Sequence, residues 1–247
     1  MSKNKNQEVV EAQTTAVATA NLSDWGAPVI DARDVVIPKI LLMQGISELV
    51  ADGKAQIGDY VDSLTGVNLG SINKPLSFIP FHMEKLWVIS GRKAGDTNAK
   101  FEFDKYEPVN SSNMQKPFNE IIGETEYKNE YTLQFYCLLP NDTSMPYVLS
   151  FKSTSSRAGK VLSTQMYVRN PAAGLTPPAY TMELGGHKDK NDKGTYMVMD
   201  VKPVGKTSDA LIAECLNWYK IIQAGKTKVA PEPSTHGGSF AEENTKF

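Results

Sequence analysis

Residues 131–152 leave little choice of local structure. Tyr131-Thr-Leu-Gln-Phe-Tyr-Cys-Leu-Leu is aromatic and apolar, breaks at Pro140-Asn-Asp-Thr, and resumes as Tyr147-Val-Leu-Ser-Phe-Lys. Two such runs around a turn of this chemistry predict a β-hairpin. Side chains alternate between the faces of a strand. Leu133, Phe135 and Cys137 therefore share one face with Leu149 and Phe151, and this face is predicted inward. Gln134, Tyr136, Ser150 and Lys152 share the other, predicted outward.

Around this hairpin the chain alternates between strand and helix signals. Leu76 to Ser90 reads as a strand, with Pro80 marking a bulge or an edge because it lacks an amide hydrogen. Within it, Leu86 and Val88 face one way, and Lys85, Trp87 and Ile89 the other. Phe101 to Tyr106 alternates as an added strand, and 107–124 reads as a long polar excursion. Upstream, Pro38 and its apolar flanks predict a buried extended segment or a short helix, and Ile57 to Ser63 a short strand ending in the turn Asp62-Ser-Leu-Thr-Gly. After the hairpin, Ser153-Thr-Ser-Ser leads into a helix carrying Ala158, Val161, Leu162, Gln165 and Met166 at helical spacing. Pro171, Gly174 and Pro177-Pro178 stop it. Ala179 to Leu184 is a strand, Gly185 to Lys193 a charged turn, and Thr195 to Val204 a last strand. Thr207-Ser-Asp caps a closing helix from Ala210 to Gln223, whose buried side is predicted to hold Leu211, Ile212, Cys215, Leu216, Trp218, Tyr219 and Ile222.

The order is strand, strand, strand, helix, strand, strand, helix, with strands near 76–90, 130–139, 146–152, 179–185 and 195–204. It predicts an α+β, mainly β fold: an OB-like five-stranded Greek-key barrel with added strands, a linking helix and a C-terminal helix. Residues 1–22 and 225–247 are polar and aperiodic and read as a disordered arm and tail around a domain at 23–224. The 247 residues hold no apolar run near the length of a membrane span, and Met1 to Ala20 lacks the apolar centre of a secretory signal. Cys137 and Cys215 read as buried free thiols in a reducing cytoplasm.

Charge is distributed unevenly. Residues 150–206 carry nine basic residues, Lys152, Arg157, Lys160, Arg169, Lys188, Lys190, Lys193, Lys202 and Lys206, against four acids, while the whole chain has a net charge of −2. Lys and Arg concentrated this way displace counterions from a polyphosphate, and interspersed aromatics can stack on bases. The alternative is a solvated basic face. The candidate contacts are Lys152, Arg157, Lys160 and Arg169 around the strand–helix junction. Lys188 and Lys190 lie in the loop between the last two strands, and Lys85, Trp87, Arg92 and Lys93 on and after the first. Tyr136 completes the set, on the face of Lys152. Trp87 could equally be core, packed on the closing helix.

Enzyme motifs are missing. His82, His187 and His236 do not combine with the cysteines into a zinc pattern, and there is no phosphate loop, dinucleotide fingerprint or nucleophile elbow. Glu120, Glu124, Glu126 and Glu130 could be gathered into a nuclease site, but no lysine stands at a recognisable spacing. No cofactor or metal is expected.

Two stretches carry a resemblance. DVVIPKILLMQGISELVADGKAQIGDYVDSLTG, from Asp34 to Gly66, and Phe151-Lys-Ser-Thr-Ser-Ser-Arg with Lys160 and Leu162, resemble phage-encoded OB-fold single-stranded DNA-binding proteins. The resemblance implies an OB fold, single-stranded DNA as partner, a part in phage DNA replication or recombination, and a place in the cytoplasm of the infected host. It also implies that Glu242, Glu243 and Phe247 recruit replication or recombination proteins, although Lys246 departs from an acidic end. A phage structural or adaptor protein that binds another protein is the competing expectation.

Overall fold

A computed structural model of the chain describes residues 36–192, 194–224 and 228–230. Nearly all of the expected arm and tail, with Glu242, Glu243 and Phe247, lies outside them. Two long strands form the spine, β5 (Leu76–Lys93) and β8 (Thr125–Leu139), antiparallel from Ile79 opposite Leu138 to Lys93 opposite Thr125. Pro80 falls where the register shifts, the bulge expected of a proline inside a strand. Each spine strand serves two partners in succession. The first part of β5 pairs with β10 (Tyr180–Asn191), with Met182 opposite Phe78, and its last part with β6 (Glu102–Pro108), with Leu86 opposite Pro108. β8 pairs first with β7 (Asn119–Ile122) and then with β9 (Asp142–Lys152), the return strand of the expected hairpin. With β11 (Gly194–Lys206) on β10, the result is one seven-stranded sheet with two lobes.

The polar run 107–124 is thus not a simple excursion, since it supplies β7. Gly185 to Lys193 is not a turn either. β10 continues through it to Asn191, opposite Gly194 of β11. Gly186 is required there: a Cβ would lie 2.4 Å from the Val198 carbonyl oxygen and 2.7 Å from Ile72 Cγ2. The hairpin is held to a second sheet of β2 (Ile40–Leu42), β3 (Asp59–Asp62) and β4 (Asn68–Ser71), because the Tyr60 hydroxyl donates to the Gly185 carbonyl at 2.7 Å. Asp62 holds the turn after β3 by accepting from the amides of Leu64 and Thr65 at 2.7 and 3.1 Å. Of the two alternatives for the segment around Pro38, the extended one is found. β1 (Val36–Ile37) pairs in parallel with β12 (Lys228–Val229), and β2 follows; a short helix α1 (Glu48–Ala51) comes later.

Helix α2 (Ser156–Thr164) lies on the inward face of β8 and β9. Ala158 and Leu162, with Met166 in the π-helical turn that follows, bury themselves against Leu133, Phe135, Leu149 and Phe151. Gly159 lowers helix propensity, but a Cβ there would sit 2.7 Å from Phe151 Cβ, so the close approach needs glycine. Val161, expected inward, is exposed. A one-turn helix α3 (Asn170–Ala172) leads on to β10.

Helix α4 (Asp209–Gln223) begins at Ser208, whose side chain accepts from the Leu211 amide as an N-cap. It covers the other face of the sheet. Cys215 and Ile222 pack with Ile79, Phe81, Tyr136, Leu138 and Val148. Leu216 and Tyr219, expected on its buried side, are exposed. Cys137 and Cys215 are both buried and free. Burial pushes both thiols up, Cys215 to about 12, so neither is a thiolate at neutral pH.

β9 and β11 do not pair with each other. The open edge of β11 is met by side chains instead. Gln44 accepts from the Met197 amide and donates to the Met197 carbonyl, both at 2.9 Å, and Ser155 accepts from the Met199 amide at 3.2 Å. The chain is mainly β, a curled sheet filled on one face by α2 and covered on the other by α4.

Candidate nucleic-acid interface

Thr143 to Met182 contains no Asp or Glu, yet it carries Lys152, Arg157, Lys160 and Arg169. The fold lays this acid-free stretch over the end of β9, α2 and the π-helical turn Gln165–Arg169. Because α2 turns Ala158, Gly159 and Leu162 inward, Arg157 and Lys160 must point outward. Arg157, Lys160 and Arg169 are exposed, and among the described residues no carboxylate pairs with them.

Lys152 stands at the same junction but is engaged. Its Nζ is 3.3 Å from Glu130 Oε2, and Lys128 Nζ is 3.1 Å from Glu130 Oε1. Burial pushes the Glu130 carboxyl up, but the charges of Lys152 and then Lys128 outweigh it and hold the group below the usual carboxylate range. A carboxyl depressed on folding contributes stability above its unfolded value of about 4.3, and that contribution is lost as pH falls through the folded value. Wild type is therefore expected to lose thermal stability below about pH 4.3 more steeply than Glu130→Gln does. Melting curves of the two proteins between neutral and acid pH check this; parallel curves would remove Glu130 from the acid response.

Tyr136 is a correction. It shares a face with Lys152, but it is only 4% exposed and lies beneath α4. Its hydroxyl donates to Glu84 Oε2 at 3.1 Å, and its ring stacks on His82 at 5.6 Å. Alternation gives the parity of a side chain, but in a sheet covered on both faces it cannot say which face is open. Trp87 is a second correction as a contact: of its two expected readings it takes the core one, at 6% exposed. Its Nε1 donates to the Asn113 carbonyl at 3.0 Å, and Tyr131 meets it edge-on at 5.6 Å. The segment between β6 and β7 covers it, not the closing helix. Arg92 is exposed only in part. Its Nε binds Glu126 Oε2 at 2.8 Å, and its guanidinium lies 4.4 Å from the Phe101 ring centre.

Lys85, Lys93, Lys188 and Lys190 are exposed. Lys85 and Lys93 lie about 26 Å apart along β5, and Lys190 is about 20 Å beyond the point where β10 leaves β5. The expected contacts therefore form a compact group at α2 and outlying positions, not one patch. Lys202 is paired with Glu183 at 2.7 Å. The four glutamates considered for a nuclease site are not gathered: Glu126 binds Arg92, Glu130 binds two lysines, and Glu120 accepts from Asn129 at 2.8 Å. Among the described residues no group of three or more His, Cys, Asp or Glu side chains is placed to hold a metal ion.

Two aromatics that the alternation does not single out are open to solvent. Tyr167, in the π-helical turn, is 40% exposed, and Tyr219, on α4, is 37% exposed. Cys215, Trp218 and Ile222 define the buried stripe of α4; Leu216 lies about 100° from Cys215, while Tyr219, about 40° from Cys215, stands at the border of the stripe, where the period alone does not say whether a ring is covered.

A family model for Pam3 phage gp34-like protein matches residues 4–228. The chain belongs to this family. The match takes in every element from β1 to α4, and membership marks the chain as a phage protein. No curated protein and no solved structure matches it. Among the described residues of this family member, no helix is long and apolar enough to cross a membrane.

Proposed function

We propose that this protein binds single-stranded DNA without sequence preference, in phage DNA replication or recombination. The observation that carries the proposal is the acid-free outer face of α2 and its π-helical turn, where Arg157, Lys160 and Arg169 stand without carboxylate partners among the described residues. Phosphates would replace solvent there, with release of condensed counterions. A net charge of −2 makes a diffuse attraction to DNA weak, so binding has to be local.

The sheet supports the same reading. Taking β5, β8, β9, β10 and β11 as the strands of a barrel, the first pairs with the second and the fourth, the second with the third, and the fourth with the fifth, and α2 sits between the third and fourth. These are pairings of an OB barrel, in which loops beside the strands bind oligonucleotides. The hydrogen bonds from Gln44 and Ser155 stand where the third and fifth strands would close the ring. The tip of the β10–β11 hairpin, with Lys188 and Lys190, is the loop of such a barrel that reaches toward the strand.

The second reading, a structural or adaptor protein, draws on Met114, Phe118, Ile121 and Ile122, which are exposed on and beside the edge strand β7. A mobility-shift titration against oligo-dT and a duplex of equal length, at several salt concentrations, separates the two. The proposal expects tighter binding to the single strand and affinity that falls with salt; no binding to oligo-dT at low salt would overturn it.

A further inference from the structure

We infer that Tyr167 and Tyr219 form the base-stacking platform of the site, so that this pair sets the preference for single strands over duplex. The inference rests on the reading of the protein as a single-stranded DNA binder.

Among the described residues, β5 has no strand neighbour on one side over a short stretch: its ladder with β10 ends at Phe78, and its ladder with β6 begins at Leu86. The two tyrosines meet at this gap from separate elements. The π-helical turn that carries Tyr167 and helix α4 both pack on Pro177–Ala179, which lies against β5, and this brings Tyr167 near the backbone of Met83, inside the gap, and near Tyr219. The Tyr219 ring is steadied by His82, also in the gap, edge-on at 5.3 Å. The Tyr219 ring is thus held in place, and more than a third of each tyrosine stays open. A ring held this way loses little freedom when a base settles on it.

The surroundings fit a nucleotide. Arg169 follows Tyr167 by two residues, Lys220 follows Tyr219 directly, and Lys85 shares a strand face with Met83. All three cations are exposed, and none pairs with a carboxylate among the described residues. Arg169 also belongs to the cationic face of α2, so a strand whose phosphates run along that face reaches the tyrosines without crossing an acidic residue of the linking segment. Stacking is tolerant of sequence because every base has a π face, and a duplex keeps those faces covered.

The test compares oligo-dT with an abasic oligomer of the same length, which keeps the phosphates and lacks the bases. Wild type is expected to bind oligo-dT more tightly than the abasic strand. Tyr219→Ala and Tyr167→Ala should each weaken oligo-dT binding about five- to a hundredfold. Binding to the abasic oligomer and the salt slope on oligo-dT should stay unchanged. Equal losses on both oligomers, or no loss in the soluble, folded Tyr219→Ala protein, would overturn the platform while leaving single-stranded DNA binding in place. Wild type that binds neither oligomer would overturn the functional reading, and the platform with it.

Discussion

Reversing the three cations of the α2 face together, Arg157→Glu, Lys160→Glu and Arg169→Glu, is expected to weaken oligo-dT binding by roughly tenfold or more. Each phosphate that the protein no longer neutralises should flatten the log–log dependence of affinity on salt by about 0.7 for a single strand, hence by about 2 for the set. The fold should survive. All three side chains are exposed and free of carboxylate partners among the described residues, and surface substitutions of that kind usually move stability by no more than about 0.5 kcal/mol. Lys152→Ala is the internal control, because Glu130 already holds this lysine. Titrations at four or more salt concentrations give both affinity and slope. A triple variant with wild-type slope would show that the α2 face does not touch phosphate, whatever its affinity.

The largest expected effect on stability comes from Phe135→Ala. Phe135 is fully buried, edge-on to Phe151 with ring centres 5.6 Å apart, and sits at the centre of the sheet face that α2 covers. Truncation removes the aromatic pair and leaves a cavity that β8, hydrogen-bonded on both sides, cannot close. Such a change costs about 3–5 kcal/mol. For a chain of this size it should lower the melting temperature by roughly 10 °C. Urea unfolding followed by tryptophan fluorescence should show a lower midpoint with an unchanged slope. Tyr131→Ala, at an exposed position of the same strand, should fall well short of this. A Phe135→Ala midpoint close to wild type would mean that the packing of α2 on the sheet contributes little.

Legibility in the sequence divides along physical lines. The β8–β9 hairpin, the Pro80 bulge and the Ser208 cap are local: each is determined by a few neighbouring residues, and each is found where expected. The β10–β11 hairpin runs well past Gly185, where the signal in β10 stops, because His187 to Asn191 is polar on both faces and carries no apolar period to extend that strand, although Tyr196 to Met199 opposite it does. Alternation points Tyr136 and Trp87 outward only in a sheet with one buried face. The cover on Tyr136 comes from α4, and that on Trp87 from the segment holding Asn113, and strand periodicity records neither. The neutralisation of Lys152 by Glu130 and of Arg92 by Glu126 joins residues more than twenty positions apart, which spacing cannot reveal. The cationic face of α2 is legible because the helix period and the lack of acids coincide in one short segment.

The side-chain bridge from Gln44 to Met197 joins residues 153 positions apart, and β1 pairs with β12 over a comparable span. A ribosome delivers the β8–β9 hairpin early and complete, but these joins have no second half until almost all of the chain has emerged. Loop-closure entropy weighs most on such distant pairings. The nascent protein therefore passes through a stage in which the sheet exists while the edge of β11 and the ends of the fold are still unlatched. Assembly finishes by fastening β1 to β12.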